Sequence, residues 1–286
     1  MPGLLHRILH NIFSRWIYIR FLRKPVPGPE AGRPALLIVT VAYGRADFIE
    51  KQIRLLQKFI KDPEYEHIVV DNSATGKSRR EMRTLCQELG ATYVPVPRFP
   101  EKFICDICSF CSFSHAVALN WFYYSYLRKR RPVLFALLDH DIFPFSDFSL
   151  TERLGASDFY GVRRVRLGGS WYWWPGWSIY RFDAMDPFSP DFSPVFRNRF
   201  WLDTGGGNYS RIYRNLDSAA LRFATEKTLR VRQCDRGEDP EDIYYGDCIQ
   251  IIDGKWVHLI NGSVYRKLSG KEDLIQSVLE RLPSPS

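Results

Sequence analysis

Apolar side chains at Leu4, Leu5, Ile8, Leu9, Ile12, Phe13, Trp16 and Ile17 form the stripe of an amphipathic helix over residues 1–24. Prolines then cluster between Pro25 and Pro34 without apolar periodicity, which predicts a linker over 25–34. The folded domain starts near Ala35, where strand-like and helix-like stretches begin to alternate. The apolar runs Leu36–Ala42, His67–Val70, Thr92–Val96 and Val133–Leu138 read as buried strands. Between them Ala46–Lys61, Ser78–Leu89 and Phe113–Arg128 read as helices. This order predicts an α/β fold with a mainly parallel central sheet flanked by helices. Ligands of such sheets bind at the carboxyl ends of the strands, which should place Thr40–Arg45, Asp71–Ser73 and Asp139–Asp141 along one edge.

The second half is less regular. Phe159–Arg166, Trp177–Phe182 and Lys255–Ile260 read as strands and Lys271–Leu282 as a final helix. Gly168–Gly176 reads as a loop dense in aromatics, and Trp201–Gly207 as a glycine-rich turn around an acid. The pattern divides the chain into a core domain over 35–262 and a helical tail over 263–286.

Charge sharpens the picture of the N-terminus. The 286 residues carry a net charge of +8, and Arg7, Arg15, Arg20, Arg23 and Lys24 contribute to it with no acid among them. A basic amphipathic helix bearing Trp and Phe suits the interface of an anionic membrane, so residues 4–24 are expected to lie on one. The alternative is a helix docked on its own domain. No apolar window of about 18 residues is long enough to cross a membrane. No secretory leader is evident, so the six cysteines are read as reduced thiols and the protein as cytoplasmic, peripheral at the cytosolic face. Arg128–Arg131 holds another block of positive charge, but no basic stripe interleaves with aromatics, and no nucleic acid is expected.

Asp139-His140-Asp141 is the sharpest chemical signal. Two carboxylates at i and i+2, just past an apolar strand, can converge on one hard cation, Mn²⁺ or Mg²⁺, that also meets a ligand's phosphates. Asp71-Asn72-Ser73 ends the second strand; its residues stabilise turns, and its acid could also accept a nucleobase N–H. Asp203 lies where Gly205, Gly206 and Gly207 let backbone approach a ligand, a place for a general base or for a plain turn acid. His258 lies on an apolar strand and could complete a two-carboxylate metal site. Cys105, Cys108 and Cys111 have metal-like spacing, with His115 as the nearby fourth candidate, but their apolar neighbours favour buried thiols. Phosphate-loop, dinucleotide-binding and nucleophile-elbow motifs are absent from the sequence.

Together these residues resemble the glycosyltransferases of the GT-A fold, closest to the inverting family 2. Leu37-Ile-Val-Thr-Val-Ala-Tyr-Gly-Arg45 is similar to that family's opening strand, and His67-Ile-Val-Val-Asp-Asn-Ser73 to its second. Ser114-His-Ala-Val-Ala-Leu-Asn120 is similar to the helix ahead of the metal motif, and Leu137-Leu-Asp-His-Asp-Ile-Phe-Pro144 to the D-x-D signature. The resemblance covers roughly Leu36–Asn261.

It implies an enzyme that moves a sugar, with inversion, from a nucleotide-diphosphate donor to an acceptor hydroxyl on a glycan or lipid carrier, in cell-envelope or surface glycan synthesis. Donor contacts are expected from Thr40, Ala42, Tyr43, Arg45, Asp71, Asn72, Ser73, Asn120 and Asp139. The metal is expected on Asp141 and His258, with Asp139 directly or through water. Asp203 would be the base, and Trp171, Trp173, Trp174 and Gly205 would line the acceptor groove. An acid at Asp71 suits the N3–H of uracil, inclining the donor toward UDP, though guanine N1–H would serve. The sequence departs from the family at Asp203, where a Glu-Asp pair is usual, and at the Cys-rich 103–113 stretch. Two alternatives stay open: a sugar-phosphate nucleotidyltransferase, and a non-catalytic basic module binding membrane or nucleic acid.

Overall fold

A computed structural model of the chain describes residues 32–97, 111–166, 169–197, 200–230, 248–260 and 271–281. The expected amphipathic helix at 4–24, most of the linker, and Cys105 and Cys108 lie outside the described residues.

The apolar run at the start of the domain is buried at every position and forms the central strand β1 (Leu36–Ala42). Helix α1 (Ala46–Phe59) follows, burying Phe48, Ile49, Ile53, Leu56 and Phe59 along one stripe. Strand β2 (Glu66–Asp71), helix α2 (Gly76–Glu88) and strand β3 (Thr92–Pro95) continue the alternation. Thr75 caps α2 by accepting the Ser78 N–H at 3.2 Å. Helix α3 (Cys111–Phe122) runs on through a π-helical turn at Tyr123–Leu127 and a last turn at Arg128–Arg130. Strand β4 (Leu134–Asp139) then returns to the centre.

The order of the main sheet is β3-β2-β1-β4-β7-β6, and its first four strands are parallel. After β5 (Ile142–Pro144) and α4 (Leu150–Leu154), strands β6 (Phe159–Val165) and β7 (Trp171–Arg181) complete it. β7 runs antiparallel to both β4 and β6. The sheet is thus mixed but mostly parallel and helix-flanked, the arrangement expected from the sequence.

One expectation needs correction. The aromatic stretch read as a loop is, from Trp171 on, the first half of β7, and the consecutive rings of Trp171, Tyr172 and Trp173 are all buried there.

Short elements follow: α5 (Phe182–Met185), β8 (Val195–Arg197), β9 (Phe200–Leu202) and α6 (Asn208–Arg211). A second, antiparallel sheet pairs β10 (Glu226–Arg230), β11 (Cys248–Ile252), β12 (Trp256–His258) and β5. The closing helix is α7 (Lys271–Arg281).

The core has two main layers. Trp121, Phe122 and Tyr126 from α3 pack against Phe135, Trp173, Tyr180 and Tyr213 on one face of the sheet. Phe148, Trp177 and Trp256 pack on the other. Val278 and Leu279 of α7 join Phe48, Leu55, Phe59 and Phe143, so the C-terminal helix belongs to the core. Among the described residues, no helix is long and apolar enough to cross a membrane.

Candidate active site

The site follows from strand register. Ala42 pairs with Asp71, and Val41 with Asp139, so β1, β2 and β4 end at one edge. There β4 turns at His140-Asp141 into β5. Alternation sends the two acids and His140 opposite ways. His140 packs on Phe48 with ring centroids 5.8 Å apart, its Nδ1 is 3.3 Å from the Val41 carbonyl, and its buried Nε2 has no partner among the described residues.

Gln52 holds this turn. Buried in the apolar stripe of α1, it donates from Nε2 to the carbonyls of Asp139 (2.9 Å) and Ile142 (2.7 Å). Its Oε1 accepts the Thr40 hydroxyl at 2.8 Å, and Thr40 Oγ1 lies 3.0 Å from His67 Nε2. Thr40 is thus buried, with its hydroxyl engaged by Gln52 and His67.

β12 brings His258 to the same edge, opposite Ile142. Gln250 donates to Glu226 at 2.6 Å, so its Oε1 faces His258 and receives the Nδ1–H at 3.1 Å. That leaves the His258 Nε2 lone pair toward Asp141, whose Oδ1 is 3.8 Å away. One cation bonded to each at about 2.1 Å can span that separation.

Arg164 touches the same network, 3.4 Å from Gln250 Oε1 and 4.7 Å above the Trp174 ring. Trp174 in turn lies 4.9 Å from the His258 ring. Both Trp174 and Gly176 reach the site because β7 overshoots the end of β4. Any side chain at Gly176 would collide with Asp139 Oδ2 and the Trp174 ring.

From the other side, α3 supplies His115, whose Nε2 is 3.4 Å from Asp139 Oδ1. Burial lowers its pKa to about 4, against the pull of Asp203 and Asp141. Asp139 shows the opposite effect. Burial and the nearby Asp141 and Asp203 carboxylates push it up to about 8, with His140 and Arg164 opposing. Three carboxylates thus crowd one partly closed space, which favours a cation. Among the described residues, no three side chains form a ready-made metal cage. The donors instead fit an ion held by one or two carboxylates and completed by a ligand's phosphates.

Asp203 follows β9 and accepts the Thr204 N–H at 2.7 Å. Gly205 adopts φ +94, and a side chain there would strike Pro175 and the Trp173 carbonyl, so its role is packing against β7. Trp171 and Trp173 are corrected likewise: both are buried, with Trp173 stacked edge-on to Tyr213 at 4.9 Å. Of the expected groove residues only Trp174 borders the site.

Asp71 and Asn120 also act as braces. Asp71 is fully buried and accepts the Tyr93 hydroxyl (2.7 Å) and the Ser73 N–H (2.8 Å), bonds that tie β2 to β3 and shape the turn after it. Asn120 accepts the Phe192 N–H at 2.9 Å and donates to Ser193 Oγ at 3.1 Å, fixing the segment ahead of β8. Asn72 donates to Ser114 Oγ at 2.9 Å, linking β2 to α3. At the edge, Gly44 N–H donates to Ser73 Oγ (2.9 Å), Arg45 forks onto Asp47, and Tyr43 is 47% exposed.

Gln52, His115, Arg164 and Gln250 were not singled out for this site from the sequence. Gln52 had a readable signal, a lone amide within the apolar stripe of α1. Arg164 and Gln250 had none, because only strand register brings them here.

No known protein-family profile matches the chain, and no curated protein does. Solved structures give partial likenesses. One is the mannosyltransferase PcManGT from Pyrobaculum calidifontis, in complex with GDP-Man and Mn²⁺, at 18% identity and a TM-score of 0.39 over 64% of this chain and 55% of that one. Another is the galactosyltransferase LgtC with donor and acceptor sugar analogs, at 16% identity and TM-score 0.37, covering 51% of this chain and 58% of that one. S. aureus TarS matches at 15% identity and TM-score 0.36, over 55% of this chain and 30% of TarS. The match with PcManGT spans about half of that protein's length, 55%.

Proposed function

We propose that the protein is a metal-dependent glycosyltransferase that moves a sugar from a nucleotide-diphosphate donor to an acceptor hydroxyl with inversion. The observation that carries this reading is the meeting of Asp139, Asp141 and His258 at the carboxyl edge of a mostly parallel sheet, with Asp203 close enough to raise the Asp139 pKa.

A bound Mn²⁺ or Mg²⁺ would supply charge neutralisation for the departing diphosphate. Asp141 and His258 would hold it, with Gln250 fixing the His258 tautomer. Asp139 would add a second carboxylate to the ion, directly or through water. Tyr43, Ala42, Arg45 and Ser73 line the adjoining end of β1 and β2, where the nucleoside would rest. Asp203 accepts the acceptor's proton as its oxygen attacks the anomeric carbon, and attack from the side opposite the diphosphate inverts that carbon. Trp174 offers a ring face to a sugar. The acceptor is a glycan or lipid-linked chain, and residues 4–24 would keep the enzyme on the membrane bearing it.

The test is release of nucleoside diphosphate from UDP-, GDP- and dTDP-sugars with Mn²⁺. Wild type should turn over one donor class, with Asp203→Asn losing roughly a hundredfold or more in kcat while retaining nucleotide binding. Equal rates in Asp203→Asn and wild type would remove Asp203 from the mechanism.

A further inference from the structure

At the opposite end of the sheet lies a second cavity, of about 410 Å³, that the glycosyl-transfer reading does not use. α1 starts at the catalytic edge and runs back to this end, where Lys61 follows it. Lys61, Arg153, Arg222 and Lys255 line the cavity, against the carboxylates of Asp147 and Glu152. The four cations come from four separate chain segments, so no single helix or loop explains their convergence.

Their partners divide them into two kinds. Lys61 pairs with Asp147 at 3.1 Å, and Arg153 lies 3.5 Å from the buried Asp253. Lys255 donates to a carbonyl, that of Asp147, at 2.7 Å. Arg222 has an aromatic face, its guanidinium 5.7 Å from the Tyr160 ring centre. Among the described residues, neither Lys255 nor Arg222 has a carboxylate partner. Arg153 also approaches the Tyr160 ring, at 5.8 Å, and lies over Phe148 at 5.4 Å, so one ring contacts both guanidiniums.

The backbone donors nearby are already taken. Asp62 accepts the N–H groups of Leu150 and Thr151 and the Ser149 hydroxyl, so a ligand here would be held by side-chain cations. The lining holds four cations against two carboxylates, and with Arg153 also facing Asp253 the positive excess rests on Lys255 and Arg222, which a bound anion would offset. Guanidiniums and ammoniums together suit a tetrahedral oxyanion with several acceptor oxygens. The volume exceeds what one inorganic phosphate needs and falls at the low end for small-molecule sites, about 300–1,000 Å³.

We propose that this cavity is a second anion site that binds the phosphate group of a phosphorylated ligand. The phosphate could belong to a small soluble ester or to a phospholipid headgroup. The described chain begins at this same end, where the carbonyls of Pro34 and Ala35 accept from Val133 and Leu134 at the start of β4.

The full-length protein would be titrated with inorganic phosphate at low salt without divalent cation, and separately floated with phosphatidylcholine vesicles with and without phosphatidylglycerol. Wild type would be compared with Arg222→Glu and Lys255→Gln, both remote from the catalytic edge, with melting curves as a folding control. Phosphate binding weakened about tenfold or more in both variants supports the site, since each removes a charge-assisted contact. Weakened flotation on the anionic vesicles points to the headgroup as the source, and unchanged flotation with weakened phosphate binding to a soluble ester. Phosphate affinity and flotation both unaltered in the two variants, or absent in wild type, would overturn the proposal. Mn²⁺-dependent nucleotide binding should be the same in all three proteins, so failure here leaves the transferase reading untouched.

Discussion

Asp139 carries the most telling energetics of any single residue. In the folded chain its pKa is raised from 3.8 to about 8, first by burial and then by Asp141 and Asp203. The native state therefore binds a proton more tightly than the unfolded chain between those values. The contribution of Asp139 to metal-free stability should therefore fall as pH rises from about 4 to about 8 and level off beyond. Asp139→Asn removes this penalty. The variant should melt a few degrees above wild type at pH 8, on the order of 1 kcal/mol or more, and match it near pH 4. Equal melting temperatures at pH 8 would mean that the carboxylate is not crowded as described. His115 and His67 act on the acid side. Burial lowers their pKa values to about 4 and about 3, so their stabilisation is lost as pH falls below 6.5. At this scale the sequence was legible where spacing carries the chemistry, as in Asp139 and Asp141. It was silent on the bracing bonds of Asp71 and Asn120, because a polar residue that fixes a turn and one that meets a ligand are the same residue type.

Among the elements, α1 and β7 shape the site. Gln52 reaches from α1 across the β4–β5 turn and fixes both carbonyls that flank His140 and Asp141. Gln52→Leu keeps the volume but leaves two carbonyls and the Thr40 hydroxyl without their donor and acceptor. Chemical denaturation should show a loss of about 2–4 kcal/mol, and Mn²⁺ affinity should drop as the turn loosens. An unchanged midpoint would show that the clamp contributes nothing. β7 matters through its length. It pairs with β4 up to Trp177 and then continues, delivering Trp174 and Gly176 to the acids while Trp171 and Trp173 stay in the core. Trp173→Ala should destabilise the fold by about 3–5 kcal/mol, the cost of a core cavity. A solvent-facing groove residue would cost far less. A run of aromatics after a pair of glycines looks the same in a loop and in a strand, so only pairing with β4 and β6 distinguishes them.

For the molecule as a whole, the parallel half β3-β2-β1-β4 was legible because its strands are apolar runs separated from one another in sequence by helices. The antiparallel half was legible only in part: Phe159–Arg166, Trp177–Phe182 and Lys255–Ile260 read as strands, but the short β5 and β8 to β11 did not. That half carries His258 and Asp203, which the sequence singled out, and Gln250, which only the pairing of β11 with β12 brings to His258 at the carboxyl edge. The central claim is that this edge binds a nucleoside diphosphate through a divalent cation. The most direct test is calorimetric titration of UDP, GDP, dTDP and CMP, with and without Mn²⁺, into wild type and Asp141→Ala. The account predicts binding of one nucleoside diphosphate that requires Mn²⁺ and is lost in the variant. No nucleotide binding by folded wild type, or equal binding by Asp141→Ala, would contradict it.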